Sequence, residues 1–151
     1  MTDGELQAFF VEVPVLQVAT IGRDGRPHLA PMWFVVDEGR LVFRSFSKSQ
    51  KIVNLRRDPR LTVLLEAGTA YEELRGAMIK GSARLVDDPE YVLGIYARLA
   101  ARYPMVSPEP VELSGEALES TFGWYAAKNT AVIVQPDSVA SWDHRKLVGT
   151  Y

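Results

Sequence analysis

Residues 15–36 read VLQVATIGRDGRPHLAPMWFVV, a pattern typical of a β-hairpin. Val15 to Ile21 is rich in β-forming residues, Gly22-Arg23-Asp24-Gly25 forms a turn, and strand composition resumes from Pro27 to Val36. The second strand contains Pro27 and Pro31, which cannot donate a backbone hydrogen bond to a neighbouring strand. The sequence therefore predicts that this strand is irregular or lies at a sheet edge.

Outside the hairpin, short strands alternate with short helices. Counting the hairpin, we predict six strands at Val15–Ile21, Pro27–Val36, Arg40–Ser45, Leu61–Glu66, Arg75–Val86 and Ala131–Val139. Helices are predicted after the capping box of Thr2 and Glu5, at Ser49–Arg57, Tyr91–Tyr103 and Glu116–Tyr125. Gly76 and Gly81 are expected at a bulge or a close approach. This order favours a mainly β fold, a small antiparallel barrel with short helices at its ends.

Composition restricts the classes of function. The 151 residues suit a single domain over 1–151, and the net charge of −2 argues against a nucleic-acid-binding protein. The chain has no cysteine, which excludes disulfides, thiolate catalysis and cysteine-ligated metals. Apolar runs are too short to span a membrane, and no leader peptide is recognised, so we expect a cytoplasmic protein.

The segment 43–51, FRSFSKSQK, joins a strand to the first turn of a helix and is rich in cations and hydroxyls. A helix N-terminus already carries a partial positive charge, and Lys48 and Lys51 add to it. Arg44, Ser45 and Ser49 supply further donors, which predicts a phosphate or carboxylate site. The alternative, that a serine caps the helix while the lysines are solvated, stays open.

Two other segments are candidates for binding. Met32, Trp33 and Phe34 follow the break at Pro31 and could form an aromatic wall for a flat ring, although such residues are commonly core. Residues 142–146, WDHRK, combine one aromatic ring with several polar groups, although a solvated tail is the default interpretation. We find no His, Asp and Glu spacing typical of a metal site, and no serine-nucleophile motif.

These segments together resemble the pyridoxamine-phosphate-oxidase-like split-barrel superfamily, in its branch of coenzyme F420-dependent oxidoreductases. The resemblance covers nearly the whole chain and is carried by residues 19–28, 31–34, 49–51, 54–60 and 142–147. The last block is the one most similar to the F420 branch.

The resemblance implies a six-stranded antiparallel split barrel of the FMN-binding type, which forms a homodimer with the cofactor at the interface. It implies that Ser45, Ser49 and Lys51 bind the cofactor phosphate, with help from Arg44 or Lys48. The cofactor ring would lie between the strand holding Met32, Trp33 and Phe34 and the partner subunit. Trp142 and Lys146 would close over the partner's site.

The implied activity is hydride transfer between the deazaflavin of coenzyme F420 and an unsaturated small organic substrate. The phosphate site alone fits FMN equally well, so an FMN-dependent oxidase or flavin reductase is the alternative. A non-catalytic cofactor or haem-binding protein is a third possibility, for which His28 and His144 are the only histidine ligands. The sequence indicates neither the catalytic acid or base nor the physiological substrate.

Overall fold

The computed structural model describes residues 1–147, which form four α-helices and seven β-strands. The helices are α1 (Asp3–Glu12), α2 (Gln50–Arg57), α3 (Pro89–Arg102) and α4 (Gly115–Ala126). The strands are β1 (Leu16–Ile21), β2 (Pro27–Met32), β3 (Val35–Asp37), β4 (Arg40–Phe46), β5 (Arg60–Ala67), β6 (Arg75–Val86) and β7 (Asn129–Asp143). Two short 3₁₀ helices lie at Tyr71–Glu73 and His144–Lys146.

All strand pairs are antiparallel, and the sheet order is β2-β1-β5-β6-β7-β4-β3. The strands β2 and β3 therefore lie at opposite edges of the sheet although only Trp33 and Phe34 separate them in sequence. A two-residue link between the two edges requires the sheet to curl. The fold is accordingly a curled antiparallel sheet with short helices, as predicted.

The predicted number of six strands is wrong, because the expected strand Pro27–Val36 is two strands. The backbone of Phe34 leaves the sheet and bonds a side chain: its N–H donates to the Tyr103 hydroxyl (3.3 Å), which in turn donates to its carbonyl (2.9 Å). A residue whose backbone groups are satisfied by a tyrosine cannot continue the strand ladder. The sequence could not show this contact, because Tyr103 lies 69 positions after Phe34.

Apolar side chains form two clusters, one on each face of the sheet. The inner cluster joins α1 and α2 to the concave face and includes Phe9, Phe43 and Ile52. The outer cluster lies between the sheet and the helices α3 and α4, and includes Tyr96 and Phe122.

Strand β4 contributes alternately to the two clusters, and this alternation positions the candidate site. Phe43 belongs to the inner cluster and Val42 to the outer one. Because successive side chains of a strand point to opposite faces, Ser45 lies on the inner side, with α2, and Arg44 on the outer side, with Tyr96. These two neighbouring residues therefore contact different groups on opposite faces of the sheet.

Several local predictions are confirmed. Thr2 and Glu5 form the capping box of α1, and the proline-containing β2 is an edge strand. The register shifts between Lys80 and Gly81, and a Cβ on Gly76 would lie 2.1 Å from the ring of Trp142.

The C-terminal segment is more regular than expected. Strand β7 continues to Asp143 rather than ending at Val139, because it pairs with β6 as far as Arg75. Residues 148–151 of the expected irregular tail lie outside the described residues. Within residues 1–147, none of the helices is long and apolar enough to cross a membrane.

Candidate functional site

The predicted anion site is a cluster of donors between the end of β4 and the start of α2. The Lys51 ammonium donates to Ser45 Oγ (3.3 Å), and Ser45 Oγ lies 3.0 Å from Ser49 Oγ. Ser45 is buried, whereas Ser49 and Lys51 are half-buried. The structure therefore brings three of the predicted residues together in one group at the N-terminus of α2.

Ser49 occupies the N-cap position of α2, but its side chain makes no capping hydrogen bond to the helix backbone. Its hydroxyl meets Ser45 instead, so the first N–H groups of the helix keep their capacity to donate. Ser49 is therefore the cap residue by position only, its side chain belongs to the cluster, and the anion site itself stays a prediction.

The loop that carries the cluster is held by hydrogen bonds to β7. The Ser47 N–H donates to the Lys128 carbonyl (2.9 Å), and Ser47 Oγ lies 2.8 Å from Thr130 Oγ1. Thr130 is fully buried and donates to Asp87 (2.6 Å), which also accepts from Arg56 (2.7 Å). The Arg56 guanidinium and this hydroxyl together hold the pKa of Asp87 below its usual value. Arg56 is therefore structural.

The cluster carries positive charge that the described part of the chain does not neutralise. No ion pair of residues 1–147 includes Arg44, Lys48 or Lys51. Burial, and secondarily the nearby Arg44 charge, lowers the pKa of Lys51 below 10.5. Hydroxyls, an ammonium group and free helix N–H groups without a carboxylate are a donor set that fits a phosphate.

A cavity of about 270 Å³ lies on the other side of β4, next to the break between β2 and β3. It is lined by Val15, Pro31, Met32, Trp33, Arg44 and Leu99. The Trp33 ring is 40% exposed and stacks on Tyr103, with ring centroids 4.7 Å apart and planes 8° apart. The cavity thus has a flat aromatic wall held in one orientation.

The three residues of the predicted aromatic wall have different surroundings. Met32 and Trp33 line the cavity. Phe34 is fully buried in the inner cluster, and its carbonyl accepts from Tyr103 and from Arg102. Its side chain is therefore core in the described chain, and only its neighbours face the cavity.

Trp142 and Lys146 lie far along the sheet from the anion cluster. Ser45 pairs with Thr130 at the start of β7, whereas Trp142 pairs with Gly76 near the end of that strand. At ~3.3 Å per residue, the strand path between Thr130 and Trp142 is on the order of 40 Å. Lys146 bonds Glu5 of α1 at 2.7 Å. The fold of the chain therefore does not bring these two residues to the cluster.

Sequence reasoning missed the two tyrosines that support the cavity. Tyr103 stacks on Trp33, and the Arg44 guanidinium lies 4.6 Å from the centroid of the Tyr96 ring. Both lie at or near α3, where the helical spacing indicated only core positions. No local signal could have assigned them, since both contacts are distant in sequence.

The two histidines lie apart from each other. His144 Nδ1 is 2.8 Å from the Tyr71 carbonyl. His28 lines a second cavity of about 480 Å³, beside the β1–β2 turn, and its buried Nδ1 has no hydrogen-bond partner within residues 1–147. Residues 1–147 contain no group of three His, Asp or Glu side chains that could hold a metal ion.

Comparisons with known proteins agree with this architecture. A search of curated proteins found no match. A conserved hypothetical protein from Mycobacterium tuberculosis has a similar structure, with a TM-score of 0.86 and 36% identity over 97% of this chain and 88% of that chain.

Two more distant structures share the fold. One, described as an F420 reductase, has a TM-score of 0.64 and 24% identity over 87% of this chain and 93% of its own. The other, the haem storage protein HutZ from Vibrio cholerae, has a TM-score of 0.62 and 16% identity over 93% and 92% of the two chains.

The family model described as pyridoxamine 5'-phosphate oxidase matches residues 2–134, which include β1 to β6, the start of β7, the anion cluster and the cavity beside Trp33. The chain therefore belongs to the pyridoxamine 5'-phosphate oxidase family.

Proposed function

We propose that this protein is an oxidoreductase that uses coenzyme F420 to reduce an unsaturated small organic substrate. The observation that carries the proposal is the cluster of Ser45, Ser49 and Lys51, which has the donors for a phosphate and no carboxylate partner among the described residues. The fold shared with a protein described as an F420 reductase supports the choice of coenzyme.

In this proposal, the chain supplies binding and orientation. Ser45, Ser49 and Lys51 would hold the phosphate, and the loop fixed to Thr130 would keep these donors in place. Met32 and Trp33 would border the ring, which supplies the hydride chemistry when bound. An apolar surface beside the ring excludes water and holds the acceptor in position.

We further propose that the working unit is a homodimer with the cofactor between the subunits. Trp142 and Lys146 of the partner subunit would then complete the site that one chain leaves open. Residues 135–140 of β7 support this proposal, since all six are exposed although the strand is paired with β6. Such a surface is suited to contact with a second chain.

FMN is the second candidate cofactor, because it also presents a phosphate. The donor cluster fits both molecules, and what favours F420 is the resemblance of the whole chain together with the shared fold.

The test is an equilibrium titration of the cofactor-free protein with coenzyme F420 and with FMN, followed by the fluorescence of each. We expect tighter binding of F420. Exchange of Lys51→Met should weaken that binding at least tenfold, since a charge-assisted hydrogen bond contributes about 1.5–3 kcal/mol and 1.4 kcal/mol is a factor of ten. The control is Arg23→Met, which removes an exposed cation of the β1–β2 turn. If FMN binds more tightly, FMN takes the place of coenzyme F420 in this proposal. Equal affinity of the Lys51 variant and the control variant for the cofactor would refute the phosphate site.

A further inference from the structure

Arg44 is half-buried, and its side chain lies on the outer face of β4, whereas Ser45 faces the inner side. Its neighbour Ser45 joins Lys51 on the inner side, whereas Arg44 lines the cavity with Trp33 and Leu99. A guanidinium that faces a different space from the phosphate donors is available for a different ligand.

The Arg44 guanidinium is held in place but not satisfied. It lies 4.6 Å from the centroid of the Tyr96 ring, and no hydrogen bond or ion pair within residues 1–147 includes it. A guanidinium placed over an aromatic ring keeps N–H groups that can still donate to a ligand. A partly buried cation with free donors calls for an anionic partner.

The rest of the cavity is suited to a flat apolar molecule. Its other lining side chains are Val15, Pro31, Met32, Trp33 and Leu99, which include no carboxylate. The Trp33 ring offers a planar surface that is already ordered by Tyr103, with 8° between the two ring planes. A ligand that matches both features has a planar hydrocarbon part and one carboxylate.

We propose that the cavity binds small planar carboxylic acids, with the carboxylate paired in bidentate geometry to Arg44 and the planar part against Trp33, beside the place that the proposed function gives to the cofactor ring. Guanidinium and carboxylate match in shape and charge, so this pair discriminates an acid from its neutral amide. If the proposed function holds, the hydride acceptor would be an unsaturated carboxylic acid, and this part of the inference rests on that function. As a statement on binding, the inference requires no cofactor.

The test measures binding of trans-cinnamate and of cinnamamide to the cofactor-free whole chain by isothermal titration calorimetry. We expect the wild-type protein to bind cinnamate at least tenfold more tightly than cinnamamide. Arg44→Met should abolish this preference, and Arg44→Lys should restore part of it, because lysine keeps the charge but loses the fork. Arg23→Met, which removes an exposed arginine from the β1–β2 turn, is the control and should keep the full preference.

Equal affinity for acid and amide in the wild-type protein would overturn the proposal, as would failure to bind either ligand. A preference that survives Arg44→Met would also overturn it. The acid–amide comparison in the wild-type protein needs no variant, and Arg44→Gln provides a second variant if the Met variant does not fold.

Reciprocal titrations separate this inference from the proposed function. We expect Arg44→Met to weaken the binding of coenzyme F420 less than Lys51→Met does, and Lys51→Met to leave the preference for cinnamate intact. A tenfold loss of coenzyme binding in Arg44→Met would assign Arg44 to the phosphate site and overturn the inference. If neither F420 nor FMN binds while the Arg44-dependent preference remains, the proposed function fails and the carboxylate site stands.

Discussion

Replacing Thr130 with valine should both destabilise the fold and loosen the anion cluster. Thr130 is fully buried, and its hydroxyl makes three contacts: it donates to Asp87 (2.6 Å), lies 2.8 Å from Ser47 Oγ and accepts from Arg56 (3.2 Å). Valine has nearly the same shape, so the substitution removes these contacts without leaving a cavity.

The expected loss follows from the partners. A hydrogen bond to a charged group contributes about 1.5–3 kcal/mol, and one between neutral groups about 0.5–1.5 kcal/mol. Water can reach Asp87, whose side chain is 56% exposed, and replaces part of what is lost. We therefore expect the free energy of unfolding to fall by about 1.5–3 kcal/mol, which for a chain of this length lowers Tm by about 3–12 °C.

Urea unfolding followed by circular dichroism measures this loss, and the same variant is titrated with coenzyme F420. The affinity should fall together with the stability, because Ser47 would no longer fix the loop between β4 and α2 to β7. Thr130→Ser keeps the hydroxyl and should retain most of the coenzyme affinity. A loss of stability below about 0.5 kcal/mol in Thr130→Val would refute the assigned network, since surface changes commonly have effects of that size.

Two further results are expected. Affinity for coenzyme F420 should fall as the pH rises from neutral towards 10.5, because the pKa of Lys51 lies below that value and the neutral amine no longer attracts a phosphate. The Lys51→Arg variant stays charged, so its affinity should change less with pH. If its pH profile equals that of the wild-type protein, Lys51 is not the origin of the pH dependence. Sedimentation equilibrium should give the mass of a dimer that Trp142→Ala weakens, and a wild-type monomer that binds the coenzyme fully would contradict the proposed interface.

Local patterns were sufficient for most of the secondary structure. Thr2 and Glu5 marked the start of α1, Asp88 and Pro89 marked the start of α3, and Pro27 and Pro31 correctly indicated an edge strand. Each of these signals acts within a few residues, through a cap or through the missing N–H of proline, so it can be interpreted without the fold.

The anion cluster was predictable for the same reason. Ser45, Ser49 and Lys51 lie within seven positions of one another, and a strand followed at once by a helix brings such residues together whatever the rest of the chain does. The role of each remaining candidate depends on contacts with distant segments. Phe34 was predicted as part of an aromatic wall. Its side chain is core, because the Tyr103 hydroxyl bonds its backbone and holds it out of the strand.

The sequence by itself determined the class of fold, the family resemblance and the charge and position of the candidate phosphate site. Only the tertiary structure decided that the predicted second strand is two strands, that Arg44 and Ser45 lie on opposite faces of β4, and that Trp142 lies far from the anion cluster. Strand pairing and helix packing join residues far apart in the chain, and no local pattern records which distant side chain, such as Tyr96 or Tyr103, will complete a site.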